Sequence, residues 1–430
     1  MRTETEPGDR TAGQGPGDVE ASLHRRSVAL LVGARQALDR LPPAWRRALV
    51  AIVVLRLALA VAAFTFGGLL QGLPDVDVDP VFGSGFSGWR GHSPEDEGMG
   101  LLGAGLERFD ALWYLAIAED GYPAATADEV PSAAAFFPGF PLVVGVLGRL
   151  LVGHYYLAAS LVGLASAVAA LAGVHRLVEE ETADPDLARR ALMTVAVFPS
   201  AFFLVAPYSE GLFLATSAWA LVWARRGGWA RAGWLAGAAA LTRNVGVLLV
   251  LPLLLEAWRQ RREGRHTGPA VWFAAVAGAP LGLMLFAGFG WLRFGTPLGT
   301  VEAQTGWERE WSLPTASLGD AWRFAIDTPG LYPSGYHTMD LIIFAAVGGA
   351  VVWLLRRAPL PYSAYAAAHV LAWLVYPFPG RPLMSVYRFA LGVAPLAWAF
   401  GAWTRRRGVA TVWDGCSAAL TRNVGVLLVL

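Results

Sequence analysis

Lysine does not occur in this chain, so arginine and seven histidines carry all its side-chain positive charge. A GC-rich genome accounts for that bias without a functional cause. Cysteine occurs once, at Cys416, which excludes an intrachain disulfide and any cysteine-based metal site. Charge of either sign is scarce: 16% of residues are charged, against about a quarter in a soluble domain. The formal net charge of +1 leaves no basic surface for a nucleic acid, so no nucleic-acid partner is expected. There is no glycine-rich phosphate loop before a strand, no HExxH and no nucleophile elbow, which argues against nucleotide chemistry in a soluble domain.

What the chain does have is apolar length. Hydrophobic residues make up 55% of it, in runs of near-spanning length that recur from residue 48 onward. That pattern describes an all-α polytopic membrane protein. Residues 1–22 are polar and rich in Gly, Pro and acid, and read as a disordered tail without the marks of a signal peptide. Arg25, Arg26, Arg35, Arg40, Arg46 and Arg47 precede the first run, so the N-terminus is expected to be cytoplasmic. Further arginine clusters at 225–231, 259–265, 356–357 and 405–407 mark four more cytoplasmic loops.

Counting spans from those loops puts 73–131 and 293–337 outside as long loops within a domain of 23–408. Spans are expected near 155–176, 190–206, 209–224, 270–291, 339–355, 362–377 and 385–403. The stretch 134–153 has no crossing left to make and reads as half-inserted or lying on the membrane. The stretch 229–256 has cytoplasmic arginines at both ends, so a re-entrant hairpin with Arg243 at its tip is expected.

The most specific segment is "ERFDALWYLAIAEDGYP" at 107–123. Leu106, Phe109, Trp113, Ala116 and Ile117 recur at helical spacing, and Glu107, Asp110 and Tyr114 share the opposite face. The pattern predicts a helix on the outer membrane surface whose carboxylates face whatever lies above. A solvated polar face with no chemistry fits the same spacing. In "VAPYSEGLF", Ser209 and Glu210 suit a helix start equally as cap and dipole partner, and Tyr208 suits an aromatic belt. Arg243 and Arg388 lie within apolar runs, where an arginine costs a few kcal/mol and usually lines a cavity or meets a counter-ion. Arg388 is close enough to an outer end for snorkelling to serve as well. "GWEREW" at 306–311 pairs tryptophans with alternating charge, which suits a sugar ring or an interfacial belt. His337 and Asp340 stand alone and are weak candidates.

Together these segments resemble the family of the second mannosyltransferase of GPI-anchor synthesis and its bacterial relatives, membrane glycosyltransferases of the GT-C class. The resemblance runs from 107 to 403 and rests on "RFDALWYLAIAEDGYP", "AAFFPGFPL", "FPSAFFLVAPYSEGLF", "AALTRNVG", "RFGTPL" followed by Trp307, and "SVYRFALG". Where the family usually shows Trp-Asp, this chain has Phe109-Asp110, which keeps the acid. The resemblance implies a GT-C-like bundle of about 8–11 transmembrane helices, with an outer-face interfacial helix in the first external loop. It implies inverting transfer of mannose from polyprenyl- or dolichyl-phosphate mannose to a glycolipid or glycan. The reaction would take place on the extracytoplasmic face of a bacterial plasma membrane. Asp110, with Glu107 second, is then the base that takes the acceptor proton. Arg243 and Arg388 are the donor-phosphate ligands. Tyr208, Glu210, Trp113, Tyr114, Trp307 and Arg309 are acceptor or sugar contacts. A monophosphate donor asks for no obligatory metal or other cofactor. The rival expectations are a transporter or flippase of lipid-linked sugar, and a non-catalytic subunit.

The thirteen residues "AALTRNVGVLLVL" occur at 239–251 and again, letter for letter, at 418–430. An old repeat would have drifted, so the second copy, within the tail 409–430, reads as a recent duplication or an assembly artefact. Deleting 418–430 is expected to leave transfer activity intact, as measured on a normally inserted truncation.

Overall fold

A computed structural model describes residue 33 and residues 36–70, 110–125, 130–265, 267–305, 309–328 and 336–406. Among these residues the chain is helical, with no β-strand. The helices are α1 (Pro43–Leu70), α2 (Asp110–Asp120), α3 (Gly139–Leu150), α4 (Tyr155–Thr182), α5 (Pro185–Ala196), α6 (Glu210–Arg225), α7 (Trp229–Thr242) and α8 (Val250–Arg262). They continue as α9 (Pro269–Phe294), α10 (Gly299–Thr305), α11 (Pro314–Asp327), α12 (Tyr336–Arg357), α13 (Leu360–Val375), α14 (Val386–Leu391) and α15 (Ala394–Trp403). By length and composition α4, α9 and α12 can each cross a membrane. The protein is an all-α polytopic membrane protein.

Two of the expected spans are not continuous helices. The run 190–206 breaks after α5, at the Phe198-Pro199 step, and resumes as a 3-10 turn over Ala201–Leu204. Proline removes a backbone donor, which ends a helix there. The run 385–403 is divided into α14 and α15 by Gly392 and Pro395. Both breaks lie beside charged residues described below.

The stretch 229–256 turns back on itself. α7 leaves from the end of α6, and Arg243 interrupts it in an extended conformation (φ −152°, ψ 142°). A 3-10 segment, Asn244–Leu249, leads into α8. The far end of α8 returns to the end of α6: Gln260 Nε2 donates to the Ala224 carbonyl at 2.8 Å, and Arg225 and Arg259 share Glu181 at 2.8 and 2.7 Å. Tyr362 donates to the same carboxylate at 2.6 Å. Arg243 therefore stands at the opposite end of α6, beside Glu210.

α7 is held against α9 by backbone contact. A Cβ placed on Gly278 would lie 2.3 Å from the Gly233 carbonyl oxygen, and one on Gly282 would lie 2.3 Å from that of Gly237. Small residues at four-residue spacing on both helices let the backbones approach this closely.

Candidate functional site

Four separate segments meet around Glu210, the first residue of α6. Arg243 Nη1 lies 2.5 Å from Glu210 Oε1. Arg388 Nε, from α14, donates to the same oxygen, and Arg388 Nη1 lies 2.5 Å from Asp110 Oδ2 at the start of α2. The result is an alternating chain of charge: Arg243, Glu210, Arg388, Asp110. Its side chains grow more open toward the ends, with Glu210 3%, Arg388 11%, Arg243 18% and Asp110 27% exposed. The inner carboxylate is sealed and the outer acid and outer arginine face what space there is.

Local backbone explains how each charge arrives. Arg243 is where α7 stops, so its guanidinium is not tied to a helix face. Arg388 lies in the six-residue helix α14, which follows Ser385 in the left-handed region (φ 66°). Aromatic rings floor both cations: Phe203 and Tyr208 each lie 4.9 Å from the Arg388 guanidinium, and Phe389 lies 5.5 Å from that of Arg243. Such rings attract a desolvated cation without neutralising it.

The hydroxyl of Ser209 does not cap α6, as a helix-start reading would have it. It meets the Tyr114 hydroxyl at 2.8 Å and accepts from Arg243 Nη1 at 3.3 Å. Tyr114 thus joins α2 to the cluster. Burial pushes its phenol up to about 12, so it stays protonated near neutral pH.

α2 had two readings, and its burial bears on which holds. Its polar side is not turned to water: Tyr114 is buried, as are Ala111, Trp113, Leu115, Ile117 and Ala118. At 11 residues, or roughly 17 Å, it is too short to span. Trp113 stacks on Phe136 with ring centroids 5.3 Å apart, in a buried cluster that includes Phe137 and Phe140. Tyr208 is likewise buried, beneath Arg388. Glu107 and Trp307 lie outside the described residues.

Arg309 is described, and its Nη1 donates to the Tyr376 carbonyl at 3.1 Å. Burial lowers its guanidinium from the ordinary value; the charge of Asp110 opposes that shift, and Arg243 and Arg388 add to it. Arg309 is thus within electrostatic reach of the cluster. Counting it, three cations stand with two carboxylates. Among the described residues no three His, Cys, Asp or Glu side chains gather as a metal site would require.

Sequence reasoning missed Arg381 and His369. Arg381 grips Asp340 through two bonds of 2.6 and 2.9 Å, with Tyr336 under its guanidinium at 4.4 Å. The apparently isolated Asp340 was the signal for a partner. His337 stacks on Phe324, ring centroids 5.2 Å apart. His369 is fully buried, its Nδ1 placed 3.0 Å from the Tyr365 carbonyl. Nothing in "AAHVLAW" distinguished it from a packed core histidine.

No family model matches the chain, and no curated protein matches it. Among solved structures, it is similar to a crystal structure of the Archaeoglobus fulgidus oligosaccharyltransferase complexed with Zn and sulfate, at 13% identity and a TM-score of 0.34. The match covers 69% of this chain and 43% of that one, so this chain spans less than half the length of the protein it matches.

Proposed function

We propose that this protein is a GT-C-type membrane glycosyltransferase. It transfers mannose, with inversion, from polyprenyl- or dolichyl-phosphate mannose to a glycolipid or glycan hydroxyl on the extracytoplasmic side. The observation that carries the reading is the alternating charge chain in an all-α membrane protein. It offers a partly open carboxylate and a partly open arginine, joined through a sealed Glu210–Arg388 pair.

The chemistry follows from that division of labour. Arg388 engages Asp110 at Oδ2, and the Asp110 side chain is the most exposed of the four, at 27%. Oδ1 is the oxygen that accepts the proton of an acceptor hydroxyl as that oxygen attacks the anomeric carbon. The bond from that carbon to phosphate oxygen breaks on the opposite face, and its electron pair leaves on the lipid phosphate. Arg243, bound to Glu210 through Nη1 alone, turns its other donors to the growing phosphate charge, with Arg309 contributing at longer range. Arg388, held at both ends, is a positioning residue that keeps Asp110 in place. Glu210 does the same for both arginines.

The test is transfer of labelled mannose from polyprenyl-phosphate mannose into membrane lipid, comparing wild type with Asp110→Asn at equal expression. Loss of a general base is worth about 10²–10⁴-fold in rate. Product from Asp110→Asn at the wild-type rate would remove Asp110 from the mechanism. The interruptions between α14 and α15 and at Arg243 favour one alternative, a transporter or flippase of lipid-linked sugar, since broken helices line such paths. That protein would move the donor across vesicles and form no product.

A further inference from the structure

Helix α11 presents three faces. Ser317, Ala321 and Ala325 recur every fourth residue and are buried, beside Leu374 and Leu383. Next around the axis come Leu318, Trp322 and Ile326, exposed by 38%, 60% and 58%. The third side carries Asp320 and Arg323, ion-paired at 3.0 Å, and the exposed Asp327. At 100° per residue the apolar and charged stripes are centred roughly 130° apart. Trp311 and Leu313, just before the helix, are also exposed.

A single exposed surface divided lengthwise into an oil side and a water side fits a bilayer interface. A protein partner would cover one continuous patch and gain nothing from the charged stripe beside it. The helix has 14 residues, roughly 21 Å, short of the ~30 Å hydrocarbon core. A tryptophan in the apolar stripe suits the headgroup level. We infer that α11 lies in the membrane surface, with Leu318, Trp322 and Ile326 in lipid and Asp320, Arg323 and Asp327 in water.

This seat bears on the arginine cluster. Ser317 Oγ donates to the Leu374 carbonyl at 2.7 Å, Ser312 N to that of Val375 at 2.9 Å, and Arg309 Nη1 to that of Tyr376 at 3.1 Å. The clamped segment runs through the turn closed by Arg381 N and the Phe378 carbonyl, and on to Arg388. α11 thereby sets the height of Arg388 and Arg309 relative to the lipid phosphates. This second step rests on the proposed function; the first does not.

The experiment uses the full chain with Cys416→Ser and one cysteine at a time, at Leu318→Cys, Trp322→Cys, Ile326→Cys, Asp320→Cys, Arg323→Cys or Asp327→Cys. Each is labelled with an environment-sensitive fluorophore and reconstituted into phosphatidylcholine–phosphatidylglycerol vesicles. Doxyl-labelled lipid is expected to quench at 318, 322 and 326 more than aqueous iodide does, and the ratio is expected to reverse at 320, 323 and 327. Iodide quenching at all six sites would overturn the inference. So would shielding of 318, 322 and 326 from both quenchers, the result for a second copy or another protein on this face. For the second step, Trp322→Asp/Ile326→Asp is expected to lose transfer from vesicle-borne donor and to keep transfer from a short-chain donor in detergent. Unchanged transfer in vesicles would refute the link to Arg388. Absence of transfer by wild type would count against the proposed function alone, because the quenching pattern does not depend on it.

Discussion

Replacing Glu210 by glutamine tests the charge chain most directly. The side chain keeps its size and a carbonyl acceptor, but two cations lose their shared counter-charge. Glu210 is 3% exposed and Arg243 is 2.5 Å away. At an effective dielectric near 20, a pair about 4 Å apart is worth roughly 4 kcal/mol before desolvation is counted. Asp110 still balances Arg388, so Arg243 is the charge left over. Removing one partner of a buried pair costs about 3–5 kcal/mol, and Glu210→Gln is expected to fall in that range. Adding Arg243→Gln removes the surplus cation, so the double variant should recover about 2 kcal/mol relative to the sum of the two single losses. The assay is unfolding of purified protein by sodium dodecyl sulfate in mixed micelles, followed by helical circular dichroism. A single-variant loss within about 0.5 kcal/mol of zero, or strict additivity in the double variant, would refute the reasoning.

Two more predictions concern the frame. Gly278→Ala would put a methyl 2.3 Å from the Gly233 carbonyl, so α7 and α9 must part, at a cost of about 1–3 kcal/mol. Gly288→Ala, with nothing within 4 Å, should be neutral or slightly stabilising in the same titration. The third concerns pH. Burial would raise the Asp186 carboxyl, but hydrogen bonds from Arg190 and Arg189 outweigh it and hold the group at about 2, below the ordinary 3.8. A lowered value in the folded state means that the contribution is present above the unfolded value and is lost as pH falls through the folded one. The thermal midpoint should therefore decline between about pH 4 and 2, and Asp186→Asn should flatten that decline. An unchanged slope would show that Asp186 is not responsible. Because its side chain is 46% exposed, the effect is modest.

Charge in the wrong solvent was the most readable signal in the sequence. Arg243 and Arg388 stood out because a charged group amid apolar residues needs a partner, and the structure brings both to Glu210. Which group pairs with which was not legible, since the partners lie 33 and 178 residues apart in the chain. The face of α2 was left between two readings for a related reason. Amphipathic spacing shows that one side differs from the other, and it cannot distinguish water from the polar interior of a bundle. Tyr114 and Asp110 face the latter. Prolines at 199 and 395 were visible, yet hydropathy alone runs through them, so the breaks beside α5 and α14 were read as continuous spans. α11 escaped notice because its three faces place apolar and charged residues in alternation, which in one dimension reads as loop.

The hairpin made by α7 and α8 has a consequence for how the protein is put together. Its arms have 14 and 13 residues, each too short to rest in a bilayer by itself. The surface that receives the first arm belongs to α9, which ends at Phe294. During synthesis, Glu210 leaves the ribosome long before that surface exists. At about 5–20 residues per second, Glu210 waits for α9 to be made before Arg243 has its seat, and Arg388 follows only 178 residues after Glu210. The charge cluster is therefore a late product of assembly, closed only once α14 has docked, and its completion reports that the segments carrying it have come together.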